Sequence, residues 1–227
     1  MIAVAIDGPA GAGKSSIARK TAKEIEFIYV DTGALYRAVG LHMLNCGIVP
    51  EDQQAVSAEL AHVDISLEFK DGDQQVLLCG QDVTDLIRTS DVSRASSQVS
   101  AIPEVRAFLL ALQTKLAEKN HVIMDGRDIG TVVLPNAQVK VFLTATPQER
   151  ARRRMQQIEE KGQKADFDTI LREIQERDYR DAHREIAPLI PAADAVVIDT
   201  TNLTMQQASD MLKQLIVKQI DSDKNSH

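Results

Sequence analysis

Residues Gly8 to Ser15 read Gly-Pro-Ala-Gly-Ala-Gly-Lys-Ser, which fits G-x-x-x-x-G-K-[ST] without mismatch. Residue types at this spacing suit one task, holding the phosphates of a nucleoside triphosphate. Gly8, Gly11 and Gly13 allow backbone conformations that residues with a side chain avoid. The N–H groups of the loop can then turn inward around a phosphate. A helix starting at the end of the loop adds the positive end of its dipole. Lys14 is placed to reach the β- and γ-phosphates, and the Ser15 hydroxyl to ligate magnesium. The expected donor-site residues are Gly8, Pro9, Ala10, Gly11, Ala12, Gly13, Lys14, Ser15 and Ser16. The plainer alternative is a glycine-rich turn joining strand to helix. It leaves unexplained why Lys14 and Ser15 stand where phosphate chemistry needs them.

A phosphate loop alone does not distinguish an ATPase, a GTPase and a kinase. No N-K-x-D guanine signature is present. A second anion site would favour a kinase, and four segments are candidates. Asp31-Thr32-Gly33-Ala34-Leu35-Tyr36-Arg37 follows an apolar run, at the sheet edge where ligands of open α/β sheets gather. Arg37 there suits a bidentate phosphate contact, or is a surface arginine after a capped helix start. Asp125-Gly126-Arg127-Asp128-Ile129-Gly130-Thr131 also follows an apolar run, so Asp125 suits a place beside magnesium; otherwise the segment is a turn with an ordinary ion pair. In Arg177–Arg184, Arg177, Asp181 and Arg184 recur at i, i+4 and i+7, which on a helix is one face. A solvated salt-bridge face has the same pattern. Arg150, Arg152, Arg153 and Arg154 could close over a triphosphate, or pair on the surface as Glu149 and Arg153 would at i,i+4.

Elements that could position these residues follow from the apolar pattern. Ile2–Ile6, Phe27–Val30, Val122–Met124, Val139–Leu143 and Ala195–Ile198 read as short buried strands. Ser15–Glu26, Ala34–Cys46, Val105–Lys119, Pro147–Glu160, Phe167–Arg177 and Met205–Gln219 read as helices, the first with Ile17, Ala18, Thr21, Ala22 and Ile25 on one face. Strands alternating with helices imply an α/β protein with a parallel sheet covered on both faces. From Val63 to Ile87 the pattern changes. Ile65, Leu67 and Phe69 alternate, Asp71-Gly72-Asp73 forms a polar turn, and Val76 and Leu78 follow, which is a β-hairpin. Gly80 to Thr84 is a further short strand or turn. The expected organisation is a core over 1–60, an insert of antiparallel sheet and helices over 61–100, core again over 101–149, a lid over 150–166, core over 167–220, and a frayed polar tail over 221–227.

Composition narrows the function classes. The chain has 227 residues, 44% hydrophobic and 4% aromatic, with no Trp, so its core must be mainly aliphatic. A net charge of −7 argues against a general nucleic-acid surface. Arginines crowding residues 150–184 within an acidic protein point instead to a small, highly anionic ligand. No apolar run approaches the ~20 residues that cross a bilayer. The N-terminus leads directly into a strand without a signal-like segment. Cys46 and Cys79 are isolated in sequence, with no C-x-x-C and no histidine cluster nearby. They are expected to be reduced, partly buried thiols in a cytoplasmic protein, without a metal site of their own. No sustained heptad is present, so a monomer is the default.

Taken together, the motifs resemble the bacterial cytidylate kinase family of P-loop nucleoside monophosphate kinases. The resemblance rests on Gly8–Ser15, Asp31–Arg37, Ala95-Ser96-Ser97-Gln98-Val99 leading to Pro103-Glu104-Val105-Arg106, Asp125–Thr131, and Arg177–Arg184 followed by Ile186-Ala187-Pro188-Leu189. It spans nearly the whole chain. It implies a P-loop NTPase fold with a small inserted nucleoside-monophosphate-binding subdomain and a short lid. It also implies phosphoryl transfer from ATP, with Mg2+, to CMP and dCMP. By matched position it places Thr32, Ser97, Arg106 and Asp128 around cytosine, and Arg37, Arg127 and Arg184 on the acceptor phosphate. Arg177 and Asp181 fall to the sugar hydroxyls, and Lys14, Arg127 and Asp128 are the expected catalytic residues. Position 32 is Thr where some members have Ser, and Ser16 follows Ser15 where Thr is frequent. Kinases for UMP, AMP or a shikimate-like acceptor are the nearest rivals. A nucleotide-binding module without transferase activity is the rival from another class.

Overall fold

A computed structural model gives the structure of the protein and describes residues 1–70, 73–160 and 162–224. In chain order the elements are β1 (Ala3–Asp7), α1 (Lys14–Glu24), β2 (Ile28–Asp31), α2 (Thr32–Asn45), α3 (Gln53–Glu59), β3 (Ile65–Lys70), β4 (Asp73–Leu78), β5 (Gln81–Asp82), α4 (Ser90–Val99), α5 (Pro103–Lys119), β6 (Val122–Gly126), β7 (Val139–Thr144), α6 (Pro147–Glu159), α7 (Phe167–His183), β8 (Val196–Asp199) and α8 (Met205–Lys224). The architecture is mixed α/β, with a parallel sheet flanked by helices and a separate three-stranded antiparallel sheet. Contacts divide the chain into two compact units, residue 1 with 28–122, and 2–27 with the chain from 123 onward.

The second unit carries the sheet order β6-β1-β7-β8. β1 pairs with β7 in parallel, Val4 opposite Val139 and Asp7 opposite Phe142, and β7 pairs with β8 in parallel. Parallel strands need helices on both faces, which is why their sequences are runs rather than alternations. Val4, Ala5 and Ile6 of β1 and Val122, Ile123 and Met124 of β6 are all fully buried. β8 lies at the sheet edge, and Val196 and Val197 are correspondingly exposed. α1 buries the expected Ile17, Ala18, Thr21 and Ala22. Ile25 falls just past its end, at the cap. The Thr21 and Ser209 hydroxyls share a buried hydrogen bond of 2.9 Å between α1 and α8, so neither polar group is stranded in the interface.

The first unit packs its own core from Leu35, Val39, Met43, Val56, Val76, Leu78, Ile87, Val99, Val105 and Leu109. Its hairpin has the expected register, Ile65 opposite Leu78 and Leu67 opposite Val76. The expected turn at Asp71-Gly72 lies outside the described residues. α2 meets α4 at Gly40, where a Cβ would stand 3.0 Å from the Ser96 backbone nitrogen. Glycine there sets how closely the two helices approach. Side-chain caps fix three helix starts: Asp31 accepts from Ala34 N–H, Asp52 from Ala55 N–H and Thr89 from Val92 N–H.

Five details differ from the sequence reading. α3 was not anticipated, because it buries Val56 alone and so leaves no periodic apolar signal. α7 continues past Arg177 to His183. α8 continues through residues 221–224, while 225–227 lie outside the described residues. Cys46 and Cys79 are both exposed rather than partly buried. Cys46 also has a histidine beside it after all, with His42 Nε2 3.6 Å from its sulfur, because residues four apart on a helix are neighbours.

Candidate active site

The loop between β1 and α1 takes its shape from its glycines. Gly8, Gly11 and Gly13 have φ of 146°, 78° and 89°. A Cβ on Gly8 would lie 1.9 Å from the Leu143 carbonyl oxygen, so only glycine lets the loop start this close to β7. Gly13 precedes α1 in a left-handed conformation, and no side chain caps the helix. The first N–H groups of α1 are thereby left for an anion. Lys14 is buried, and its ammonium donates to the Pro9 carbonyl at 2.8 Å. Burial, reinforced by the positive charges of Arg127 and Arg177 and opposed by Asp125 and Asp7, pushes the Lys14 amine down to about 7. A buried lysine that repels its own proton suits a site built to receive negative charge.

The Ser15 hydroxyl donates to Asp125 Oδ2 at 2.9 Å, across 110 residues of sequence. A hydroxyl and a buried carboxylate at the ends of α1 and β6 are hard oxygen donors, the chemistry a magnesium ion takes. Ser16 is exposed on the first turn of α1. Asp7, at the end of β1, escaped the sequence reading. Its carboxylate accepts N–H bonds from Ile129 and Gly130, each 2.7 Å. Burial pushes it up to about 6, against those two bonds. Asp7 therefore anchors the turn that carries Arg127 and Asp128.

That turn meets the end of α7 in a network of arginines and carboxylates. Arg127 Nε donates to Asp181 Oδ2 at 2.9 Å, and Arg177 Nε lies 3.9 Å from the same oxygen. Arg184 Nη2 donates to Asp128 Oδ1 at 3.3 Å. Asp181 and Asp128 are both buried. Burial alone would raise Asp181, but Arg127, Arg177 and Arg184 together hold it below the ordinary carboxylate range. The helical i, i+4, i+7 face is corrected at its last member. α7 ends at His183, and Arg184 is an extended cap residue whose Nε donates to the Ala187 carbonyl. The turn after α7, closed by Leu189 N–H on the Asp181 carbonyl at 2.8 Å, delivers Arg184 to Asp128.

Geometry separates the arginines of α6. Arg150 is 2% exposed and forms a bidentate pair with Asp178, while also donating to the carbonyls of Ala145 and Ala10. It braces the phosphate loop from behind. Arg153 pairs with Glu149 at 3.1 Å, the expected i,i+4 contact, and also donates to Thr200. Arg152 pairs with Glu149 at 3.2 Å on the surface, and Arg154 is exposed. Thr200, another residue the sequence did not single out, donates from its hydroxyl towards the Ala12 and Thr144 carbonyls. The expected lid, 150–166, thus begins inside a packed helix, and its Lys161 lies outside the described residues.

Thr32, Arg37, Ser97 and Arg106 belong to the other unit. Thr32 is buried at the first turn of α2. Arg37 Nη2 pairs with Asp31 Oδ2 at 2.7 Å, while its buried Nε makes no hydrogen bond among the described residues. Gly33 makes room for this pair, since a Cβ there would lie 3.1 Å from both Arg37 Nη1 and Asp31 Oδ1. Arg106 is 9% exposed and sits over the Tyr36 ring, 5.9 Å from its centroid. Ser97 is half-buried on α4.

The family model for cytidylate kinase matches residues 4–218. A cytidylate kinase from Caldicellulosiruptor saccharolyticus is 49% identical over 222 residues, covering 98% of each chain. One from Carboxydothermus hydrogenoformans is 47% identical over 218 residues, 96% of this chain and 98% of the other. Among solved structures, an uncharacterized protein from Eubacterium ventriosum shares the fold at 15% identity and a TM-score of 0.51, covering 98% of this chain and 99% of that one.

Proposed function

We propose a specific reaction from one premise: this chain belongs to the cytidylate kinase family. The reaction is transfer of the γ-phosphoryl group of ATP to CMP and dCMP, giving CDP or dCDP and ADP. The observation that carries it is the electrostatics of the phosphate loop. Lys14, where that loop runs into α1, loses proton affinity chiefly through burial and then through the charges of Arg127 and Arg177, against Asp125 and Asp7. A donor loop and an arginine cluster that share one electrostatic site suit two phosphate chains facing each other.

In this reading the loop Gly8–Gly13 and the first turn of α1 hold the donor phosphates through N–H groups, and Lys14 neutralises charge on the transferring group. Ser15 and Asp125 would hold magnesium, which would supply positive charge against the donor phosphates. Arg127 and Arg184 exchange their carboxylate partners for the acceptor phosphate. Arg177 and Asp181 contact the sugar. Asp128, as a carboxylate, accepts from the amino group of cytosine and repels the carbonyl that uracil carries there. Thr32, Arg37, Ser97 and Arg106 are assigned to the same acceptor. No general base is needed, because the attacking phosphate is already anionic. The residues contribute alignment and charge neutralisation. The site is cytoplasmic in this reading, and the working unit is the monomer.

The deciding measurement is ATP consumption against CMP, dCMP, UMP and AMP in parallel. CMP and dCMP should each turn over at least tenfold more efficiently than UMP and AMP. Equal use of UMP or AMP would overturn the acceptor, and ATP binding without any product would overturn transfer itself.

A further inference from the structure

His42, Cys46 and Glu59 lie apart from the donor loop and the arginine network, and nothing in the proposed reaction uses them. They present an imidazole nitrogen, a thiol sulfur and a carboxylate oxygen, all within 4.8 Å of one another. His42 lies in the last turn of α2, and Cys46, the residue that caps the helix, follows it one turn on with its N–H on the His42 carbonyl. Glu59, the last residue of α3, faces them across the gap between the helices. His42 Nε2 and Glu59 Oε1 are 2.9 Å apart, Cys46 Sγ and His42 Nε2 3.6 Å, and Cys46 Sγ and Glu59 Oε1 3.8 Å. His62 Nδ1 lies 3.4 Å from the other oxygen of Glu59 and orients the carboxylate.

We infer that these three side chains form a binding site for a borderline-soft divalent cation, zinc in the first instance. The argument is geometric. Tetrahedral zinc with bonds of about 2.0–2.1 Å to nitrogen, about 2.3 Å to sulfur and about 2.0–2.2 Å to oxygen requires donor separations near 3.4 Å for N···O and near 3.6 Å for N···S and S···O. The triangle already present matches each edge to within about 0.5 Å, so binding asks only for small side-chain movements. The donor set also selects the metal. A thiolate with an imidazole suits zinc and disfavours magnesium and calcium, which take oxygen ligands. Cys46 is exposed, which supplies an entry path, while the His42 side chain is 13% exposed and fixed on its helix. The fourth position is open to water. Binding exchanges the Cys46 thiol proton for the metal, and that proton leaves to solvent. The proton shared between His42 and Glu59 moves to Nδ1 of the imidazole, so the ring binds neutral through Nε2. The bound ion would tie α2 to α3 within the first unit.

The test uses the full chain, stripped with a chelator and free of nucleotide. Titration with zinc chloride against a chromogenic chelator should show one equivalent bound. Affinity should fall at least tenfold in Cys46→Ser, and equally in the near-isosteric Glu59→Gln, while Cys79→Ser should bind as the parent does. Cobalt(II) gives a readout that needs no variant, because a thiolate ligand produces a charge-transfer band. That band should appear with the parent and Cys79→Ser and vanish in Cys46→Ser. The inference is overturned if no stoichiometric zinc binds, if Cys46→Ser binds unchanged, or if Ser15→Ala abolishes binding, which would assign the ion to the phosphate loop. None of these outcomes depends on which nucleotide the protein phosphorylates.

Discussion

Binding of the donor nucleotide should take up a proton from solution, and Lys14 is the reason. In the free protein burial and neighbouring arginines hold its amine at about 7. At pH 8 about a tenth of the molecules then carry the ammonium, and at pH 7 about half do. A bound triphosphate places several negative charges against Lys14 and restores its proton. The expected uptake per site is about 0.9 proton at pH 8, about 0.5 at pH 7 and about 0.1 at pH 6. The sign follows from the lowered free-state value. A lysine near its ordinary value of 10.5 would be charged before and after binding and would take up nothing. Asp7, pushed up to about 6, is ionised in the free protein at pH 8. The assay is calorimetric titration of magnesium-saturated ATP at pH 8 in Tris and in HEPES, whose ionisation heats differ. The slope of observed enthalpy against buffer ionisation enthalpy reads the protons directly. Lys14→Arg is the control, since a guanidinium stays charged throughout, and its slope should be near zero. A slope near zero for the parent protein at pH 8 would refute the reasoning, because it would mean that Lys14 is already charged in the free site.

Two further outcomes follow from the same site. Asp128→Ala should lower kcat/KM for CMP at least a hundredfold while UMP changes less than tenfold, as expected where a buried acceptor reads one amino group; equal losses in a coupled ADP assay would remove Asp128 from base reading. Arg150→Met keeps an unbranched apolar stem but deletes its bidentate pair with Asp178 and its bonds to the Ala10 and Ala145 carbonyls. Leaving those partners behind should cost about 3 kcal/mol, which is a fall in Tm of about 6 °C or more, and the KM for ATP should rise; an unchanged melting curve would show that Arg150 does not brace the loop.

What the sequence revealed and what it hid divide along a physical line. The phosphate loop was legible because its chemistry is local: three glycines, a lysine and a serine within one turn of chain decide the conformation. The strands were legible because a parallel sheet buries both faces and turns each strand into an apolar run, as in Val122–Met124. α3 was not, because one buried valine makes no period. Asp7 fell just past the apolar run Ile2–Ile6 and drew no attention, and only the fold brings the Ile129 and Gly130 N–H groups onto it from 122 and 123 residues away. The arginines of α6 look alike in sequence, yet Arg150 is a buried brace and Arg152 a surface partner, a difference set by Asp178 and Ala10 rather than by their own spacing.

Cys46 shows the same line from the other side. Read along the chain it lacks the close-set ligands that announce a metal site, because its nearest thiol is Cys79 and no C-x-x-C surrounds it. Ligand spacing in sequence, however, reports only sites built within one loop. A helix supplies a second donor at i−4 without a motif, and His42 stands there. The third donor, Glu59, comes from the end of the next helix, α3, which places its carboxylate 2.9 Å from His42 Nε2 and 3.8 Å from the Cys46 sulfur. Its carboxylate, held below its ordinary range chiefly by the hydrogen bond with His42, stays ionised beside that donor pair. A thiol that partial desolvation and this neighbouring carboxylate push up has little reason to ionise alone. A cation reverses that balance, since one positive charge serves the thiolate and the carboxylate together.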